Sequence, residues 1–267
     1  RIKVLCAGEN RLYVNLALNP ATPSNPESNS LILPVGCSIG ELGSLSLDQY
    51  SVVILVDAAE LAENAVRNLE NFLLDGGNLV IFLGGSANRD WYNRSSLMPA
   101  SLDRRTSFSQ NPLKIATWNS DHPIFRIFRD ESTAGALKSP EVYSAFSMKP
   151  KPVANVIASF DKGIPAVMEA GFGREGGRII LFNISPDPEA SDLPFKPAFL
   201  PLMQQTMLYL ASESRKNNRN VLVGDKYVQN IMEKIDSPPE IFDPKNNASF
   251  LENPRVRGDQ SKKGSRG

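Results

Sequence analysis

Three short, almost uninterrupted apolar runs place the strongest limit on how this chain can fold. Ile2 to Ala7 (IKVLCA), Ser51 to Val56 (SVVILV) and Asn78 to Leu83 (NLVIFL) have the length and continuous hydrophobicity of fully buried strands. Between the second and third runs, residues 59–74 place apolar side chains on one helical face, and Gly76 follows as the expected helix stop. Buried strands separated by amphipathic helices predict an α/β protein with a mainly parallel sheet covered on both faces.

The second half of the chain changes to a hairpin-type pattern. Residues 97–150 show only weak periodicity, but the later apolar runs ANVIASF and IPAVMEA flank the turn sequence DKG. These runs predict an antiparallel hairpin over residues 154–170, appended to the sheet. The run RIILFN at residues 178–183 predicts one more strand, and residues 197–210 predict an amphipathic helix that closes the domain.

The pattern predicts one domain at residues 1–212 and a linker or tail at residues 213–267. The tail has few core-type side chains, so we expect it to be largely disordered and to be the truncated start of a further module. Lys plus Arg (29) equals Asp plus Glu (29), so the composition predicts no nucleic-acid partner. No apolar run approaches the roughly 18 residues of a membrane span, and the initial Arg predicts excision from a longer protein.

Polar residues and glycines follow the ends of the predicted parallel strands. In a parallel sheet these positions meet at the carboxyl edge, where α/β proteins bind their ligands. The sequence therefore predicts a shared polar surface at this edge. The binding candidates are Glu9, Asn10, Asp57, Gly84, Gly85, Ser86 and Asn88, with Ser185 and Asp187 after the last strand.

A nucleophilic site at this edge is one hypothesis. Ser86, Asp57 and His122, the only histidine of the chain, permit a Ser–His–Asp arrangement in principle. The turn does not read G-x-S-x-G, however, which argues against it. The plainer interpretation makes Ser86 the cap of the following helix, and His122 the entry residue of a helix that has Pro123 at its first position.

Phosphate and metal chemistry have weaker support. Gly84 and Gly85 permit an anion to approach the backbone, yet no Lys-Ser/Thr follows them and G-x-G-x-x-G is absent after every strand. One histidine, two separated cysteines and the lack of a tight carboxylate cluster provide no set of metal ligands. We therefore predict neither a cofactor nor a metal.

Four stretches resemble the class I glutamine amidotransferase-like fold. They are AENAVRNLENFLLDGGNLVIFLG (62–84), HPIF (122–125), FDKGIPAVMEAGFGREGGRIILFN (160–183) and SDLPFKPAFLPLMQQTMLYLA (191–211). More narrowly, they are similar to the non-catalytic version found in BatA-type aerotolerance-regulator membrane proteins of bacteria. The resemblance covers residues 1–212 and implies a three-layer, flavodoxin-like fold.

The resemblance also identifies positions where amidotransferase residues are replaced. The family's nucleophile lies in a G-x-C-x-G motif, and here Leu83 stands at the cysteine position. The family's His-Pro-Glu motif is matched by Ser185-Pro186-Asp187, so serine replaces the base. Leucine cannot form a thiolate, and serine cannot act as the general base in place of imidazole. The chain is therefore not expected to be an amidotransferase, and we predict that it is not an enzyme.

The resemblance leads to a functional expectation. We expect a non-catalytic interaction or ligand-binding module of a larger membrane-anchored protein, with protein partners or other domains of the parent chain as its ligands. Membrane contact would come only through transmembrane segments outside this chain, and the domain would lie on the extracytoplasmic side. The alternative is a degenerate hydrolase that uses Ser86 or a strand-end carboxylate such as Asp57.

Overall fold

The computed structural model describes residues 1–8, 10–20, 30–217, 240–242 and 248–250. The chain forms two units, Arg1–Arg219 and Asn220–Gly267. The strands of the first unit are β1 (Ile2–Ala7), β2 (Ile32–Cys37), β3 (Val52–Val56), β4 (Asn78–Phe82), β5 (Ala100–Ser107), β6 (Ile115–Trp118), β7 (Ser144–Pro150), β8 (Ala154–Phe160), β9 (Pro165–Gly171) and β10 (Arg178–Phe182). Its α-helices are α1 (Leu12–Leu18), α2 (Glu63–Leu74), α3 (Arg89–Arg94), α4 (Glu131–Lys138) and α5 (Phe199–Asn217).

The second unit contributes one short antiparallel pair, β11 (Glu240–Phe242) with β12 (Ala248–Phe250). The predicted domain boundary at residue 212 falls inside α5, which runs on to Asn217. The rest of the predicted tail lies outside the described residues.

The main sheet has eight strands in the order β2-β1-β3-β4-β10-β9-β8-β6. Its first five strands pair in parallel, and in chain order they follow the 2-1-3-4-5 arrangement of flavodoxin-like folds. The antiparallel hairpin β8–β9 adjoins β10, and β6 completes the sheet. The prediction of an α/β fold with a mainly parallel sheet and an added hairpin is confirmed.

The parallel strands are apolar throughout because both faces of the sheet are covered. Along β4, Val80 and Phe82 face the core that contains α1 and α5, whereas Leu79 and Ile81 face the core that contains α2. This alternation gives three layers of helix, sheet and helix. Within the described residues, no helix is both long and apolar enough to cross a membrane.

A small second sheet was not expected from the sequence. Strands β5 and β7 pair antiparallel and pack on the α2 side of the main sheet through Leu102, Phe146 and Met148. Asn183, just after β10, attaches β7: its Oδ1 accepts the Phe146 N–H at 3.0 Å, and its Nδ2 donates to the Phe146 carbonyl at 2.8 Å. This attachment brings β5 to the carboxyl edge of the parallel strands.

Candidate functional site

The carboxyl edge of the parallel strands gathers polar side chains from four loops. Asp57 directly follows β3, Ser86 lies in the turn after β4, and Asp187 and Asn10 follow β10 and β1. The Ser86 hydroxyl donates to Asp57 at 3.3 Å, and the Asn10 amide donates to Asp187 at 3.4 Å. The structure thus brings these four candidates to one edge. The candidate Glu9 lies outside the described residues.

Asp57 has an uncommon backbone conformation. Its φ is 50°, in the left-handed region that costs free energy for a residue with a side chain. Its carboxylate accepts two hydrogen bonds from Ser86, from the backbone N–H at 2.9 Å and from the hydroxyl at 3.3 Å. A Cβ at Gly84 would come within 2.1 Å of the Asp57 carboxyl group, so the turn needs glycine there. The glycine turn therefore holds a carboxylate against the end of β4.

The electrostatics of this edge act mainly on the pKa of Asp57. Burial raises the pKa of the Asp57 carboxyl above its ordinary value, and the charge of Asp187 raises it further. The hydrogen bonds from Ser86 and the charge of Arg105 act in the opposite direction but do not cancel the increase. A carboxylate with a raised pKa is suited to accept or donate a proton.

Arg105 is a residue of this edge that the sequence did not indicate. It lies on β5, near Gly85, and its guanidinium donates to the Ser144 hydroxyl on β7. The segment around it, DRRTS, lacks the apolar alternation typical of a strand, and residues 97–150 as a whole show only weak periodicity. Only the pairing of β5 with β7 places this cation near Asp57.

Asp187 and Ser185 lie in a tight turn after β10. The Ser185 hydroxyl accepts the backbone N–H of Asp187 at 3.1 Å, and the Ser185 side chain is buried. Ser191 donates to the Ser185 carbonyl at 2.5 Å. Ser185 therefore stabilises the turn that presents Asp187, which is half-buried.

Leu83 occupies the position at which the resemblance implies a nucleophile. It is 4% exposed, and its backbone N–H continues the ladder to the Phe182 carbonyl at 3.0 Å. Its side chain packs in the core beside α2. The residue therefore directly follows β4 and belongs to the core.

The helix-capping role that was expected of Ser86 belongs to Asn88. Asn88, and not Ser86, caps α3: its Oδ1 accepts the N–H groups of Asp90 and Trp91. Its Nδ2 donates to the Glu60 carboxylate at 3.1 Å. The interpretation of Ser86 as a helix cap is wrong, because its hydroxyl and its amide are both directed at Asp57.

The same geometry gives the phosphate hypothesis no support. The N–H of Ser86, directly after Gly84 and Gly85, is taken by Asp57. A phosphate group would therefore meet a carboxylate at this turn, and like charges repel at short range.

His122 does not join Ser86 and Asp57. Its Nε2 lies 3.3 Å from Glu169 Oε2, and its ring contacts Tyr209 of α5, in the opposite layer of the protein from α2. The Ser–His–Asp arrangement is therefore not assembled. Pro123 begins a turn that leads into a short 3₁₀ helix, so the expected α-helix entry is also wrong.

Comparison with known proteins adds information about the fold. No protein-family model matches the chain, and no curated protein matches it. Among solved structures, it is similar to Cytoplasmic Protein STM3548 from Salmonella typhimurium (12% identity, TM-score 0.59, covering 78% of this chain and 98% of that one). It is also similar to Cytoplasmic Protein STM1381 from Salmonella typhimurium LT2 (13% identity, TM-score 0.59, covering 78% and 99%). At this identity the likeness shows a shared fold.

A further neighbour corrects one prediction. A β-galactosidase from Bacillus circulans sp. alkalophilus is similar at 17% identity and TM-score 0.51, over 79% of this chain and 31% of that one. The prediction that the chain is not an enzyme is wrong, because the same fold forms part of this β-galactosidase and therefore does not exclude catalysis. Leu83 and Ser185 cannot serve as the cysteine nucleophile and the histidine base of an amidotransferase. They do not exclude other reactions.

Proposed function

We propose that this chain is an interaction or ligand-binding module of a larger, membrane-anchored bacterial protein, and that the carboxyl edge is its binding surface. The observation that supports this proposal is the convergence of Asn10, Asp57, Ser86 and Asp187 from four separate loops. Open α/β sheets bind ligands at this edge. The partner is a protein or another domain of the parent chain, on the extracytoplasmic side.

The parent protein is inferred from the sequence resemblance. The stretches at 62–84 and 160–183 resemble the class I glutamine amidotransferase-like domain of BatA-type aerotolerance-regulator proteins. The 2-1-3-4-5 order of the parallel strands is compatible with that narrower family.

The arrangement of charges favours a polar partner. Asp57 and Asp187 provide acceptors, Arg105 provides donors, and the Asn10 amide provides both. The Asp57 backbone is strained and its carboxylate is half-buried, which is a common feature of sites that bind or react.

Site-specific photo-crosslinking in the full-length parent protein tests this proposal. A photoreactive amino acid replaces exposed Glu189, beside Asp187, and in a second protein it replaces exposed Asp48 at the opposite edge. We expect an adduct from position 189 that is lost in Gly84→Ala, which displaces Asp57, and kept in Gly40→Ala, whose Cβ meets no neighbour. An equal adduct from position 48, or one that Gly84→Ala leaves unchanged, would contradict the proposal.

A second candidate function is hydrolysis through Ser86. The observation that favours it is the hydrogen bond from the Ser86 hydroxyl to Asp57, whose raised pKa makes it a better proton acceptor than an ordinary aspartate. A fluorophosphonate probe should then label the wild-type protein and not Ser86→Ala or Asp57→Asn. Equal labelling of wild type and Ser86→Ala would exclude Ser86 as the nucleophile.

A further inference from the structure

A buried polar cluster lies between the main sheet and α5, away from the carboxyl edge. At its centre is Glu169 on β9, which is 7% exposed, next to His122, which is 9% exposed. Glu169 Oε1 accepts the Tyr209 hydroxyl at 2.5 Å and an Arg178 guanidinium N–H at 3.3 Å. Arg178 also donates to Glu213 at 2.9 Å. The cluster thus joins β9, β10 and α5 to the turn before the 3₁₀ helix Arg126–Phe128.

The hydrogen bonds of His122 fit one tautomer of the neutral ring. Its Nδ1 accepts the backbone N–H of Ile124 at 3.3 Å, so Nδ1 carries no hydrogen. Its Nε2 then carries the hydrogen and donates to Glu169 Oε2 at 3.3 Å. The neutral ring therefore satisfies two partners at once, one in its own turn and one on the sheet.

The turn that His122 closes holds core side chains. Ile124 and Phe125 are fully buried against the α5 side of the sheet. The backbone N–H groups of Phe125 and Arg126 donate to the His122 carbonyl at 2.9 Å and 3.0 Å. Ile124 has its amide bound by the imidazole instead.

A second proton on His122 affects the two partners in opposite ways. It places a hydrogen on Nδ1, where the Ile124 N–H also points, so that bond is lost. On the other side it creates an ion pair with Glu169. Arg178 already forms an ion pair with Glu169, so its positive charge disfavours a second positive charge on His122. The hydroxyl of Tyr209 donates to Glu169, and the Tyr209 ring packs edge-on against His122 with the ring centroids 5.0 Å apart. On the histidine's own segment, Asp121 is paired with Arg129.

We propose that His122 is a proton-operated switch of this turn: the neutral ring closes it, and protonation releases the Ile124 amide while Glu169 keeps the ring anchored. Imidazole can take up a second proton on one ring nitrogen while the other keeps its hydrogen. The opening is local, because the new ion pair keeps the imidazole attached to the sheet.

Hydrogen exchange and NMR test the switch without ambiguity of assignment, since the chain contains a single histidine. We expect the protection factor of the Ile124 amide to fall at least about tenfold between pH 7.5 and pH 5, in the range where imidazole titrates. The ¹⁵N shifts should show an unprotonated Nδ1 at pH 7.5. Protection that stays constant or rises at pH 5, or a hydrogen on Nδ1 at pH 7.5, would overturn the proposal.

Two substitutions test the contributions of the two ring nitrogens separately. His122→Asn keeps an acceptor near the Nδ1 position and cannot be protonated, so Ile124 protection should become independent of pH. His122→Gln keeps a donor near the Nε2 position and loses the local acceptor, so protection should be low at both pH values. A pH dependence that persists in His122→Asn would assign the effect to another group. The NMR measurement on the wild-type protein decides the tautomer even where a variant does not fold.

Discussion

At the scale of single residues, Asp57 is the side chain whose surroundings are least explained by stability alone. It combines a left-handed backbone, a glycine-dependent position and a carboxylate with a raised pKa. Each of these features costs free energy in the folded state. Sites that bind or react retain such costs, whereas purely structural positions generally lose them.

The stability of an Asp57→Asn variant should reveal this cost. Because the folded pKa is raised above the unfolded one, the contribution of Asp57 to stability is present at low pH and is lost as pH rises through the folded pKa. At pH 7 the variant should therefore melt up to about 3 °C higher, which is about 1 kcal/mol or less for a partly exposed group. The difference should disappear near pH 4.

Thermal unfolding as a function of pH measures this effect, with exposed Asp103→Asn as the matched control. A lower melting temperature of Asp57→Asn at pH 7 would show that the hydrogen bonds from Ser86 outweigh the cost of burying the carboxylate.

Leu83→Cys tests the position at which the resemblance implies a nucleophile. The new thiol would lie in the apolar core beside α2, where burial raises a thiol pKa, and buried Ser185 offers no base. We expect a folded protein that releases no ammonia from glutamine above the wild-type level. Measured ammonia release by the single variant would reveal a base that the structure does not identify.

At the scale of elements, Asn78 at the start of β4 connects three of them. It is fully buried; its Nδ2 donates to the Leu210 carbonyl of α5 at 3.0 Å, and its Oδ1 accepts the Arg178 N–H of β10 at 2.8 Å. Its Nδ2 also donates to the Ser214 hydroxyl at 2.5 Å. In the sequence, an asparagine at the edge of an apolar run indicates only the end of a strand. Its contacts with α5 and β10 follow from the tertiary structure.

Asn78→Ala should be strongly destabilising. It removes the side-chain hydrogen bonds to α5 and leaves the Arg178 N–H of β10 without its acceptor, and an unsatisfied group costs about 1–3 kcal/mol. We expect the unfolding free energy in urea to fall by about 2–4 kcal/mol. Exposed Asn71→Ala on α2 is the control and should change it by less than about 0.5 kcal/mol. A loss of the same size in both variants would refute the connecting role.

The sequence predicted the strands that are buried on both faces of the sheet, and it did not predict the exposed strand β5. Strands β1, β3 and β4 are continuous apolar runs because helices cover both faces. Strand β5 is exposed over most of its length, so its sequence carries no strand pattern and its pairing with β7 was missed.

At the scale of the whole molecule, the end of α5 defines how much chain the first unit needs. Ser214 and Glu213 belong to the last turns of α5 and bind Asn78 and Arg178. A protein that ends at Arg219 should therefore melt within about 3 °C of the full chain, or about 1 kcal/mol at this size. One that ends at Ala211 should melt at least about 5 °C lower, because it loses the hydrogen bonds of Ser214 and Glu213 to Asn78 and Arg178.

Calorimetry on the two shortened proteins and the full chain checks this pair of predictions. A large loss on stopping at Arg219 would mean that residues beyond it contribute to the fold of the first unit. Equal melting of both shortened proteins would mean that the last turns of α5 contribute nothing.

The sequence by itself determined the α/β class and the parallel core, because these depend on the local hydrophobic period. It also indicated that Asp57, Ser86 and Asp187 follow parallel strands and so share an edge. Only the tertiary structure decided that Arg105 joins them and that His122 instead contacts Glu169 and α5. The physical reason is that both contacts are made between elements distant in sequence, and the pairing of exposed strands and the docking of a helix leave no periodic signal in the chain.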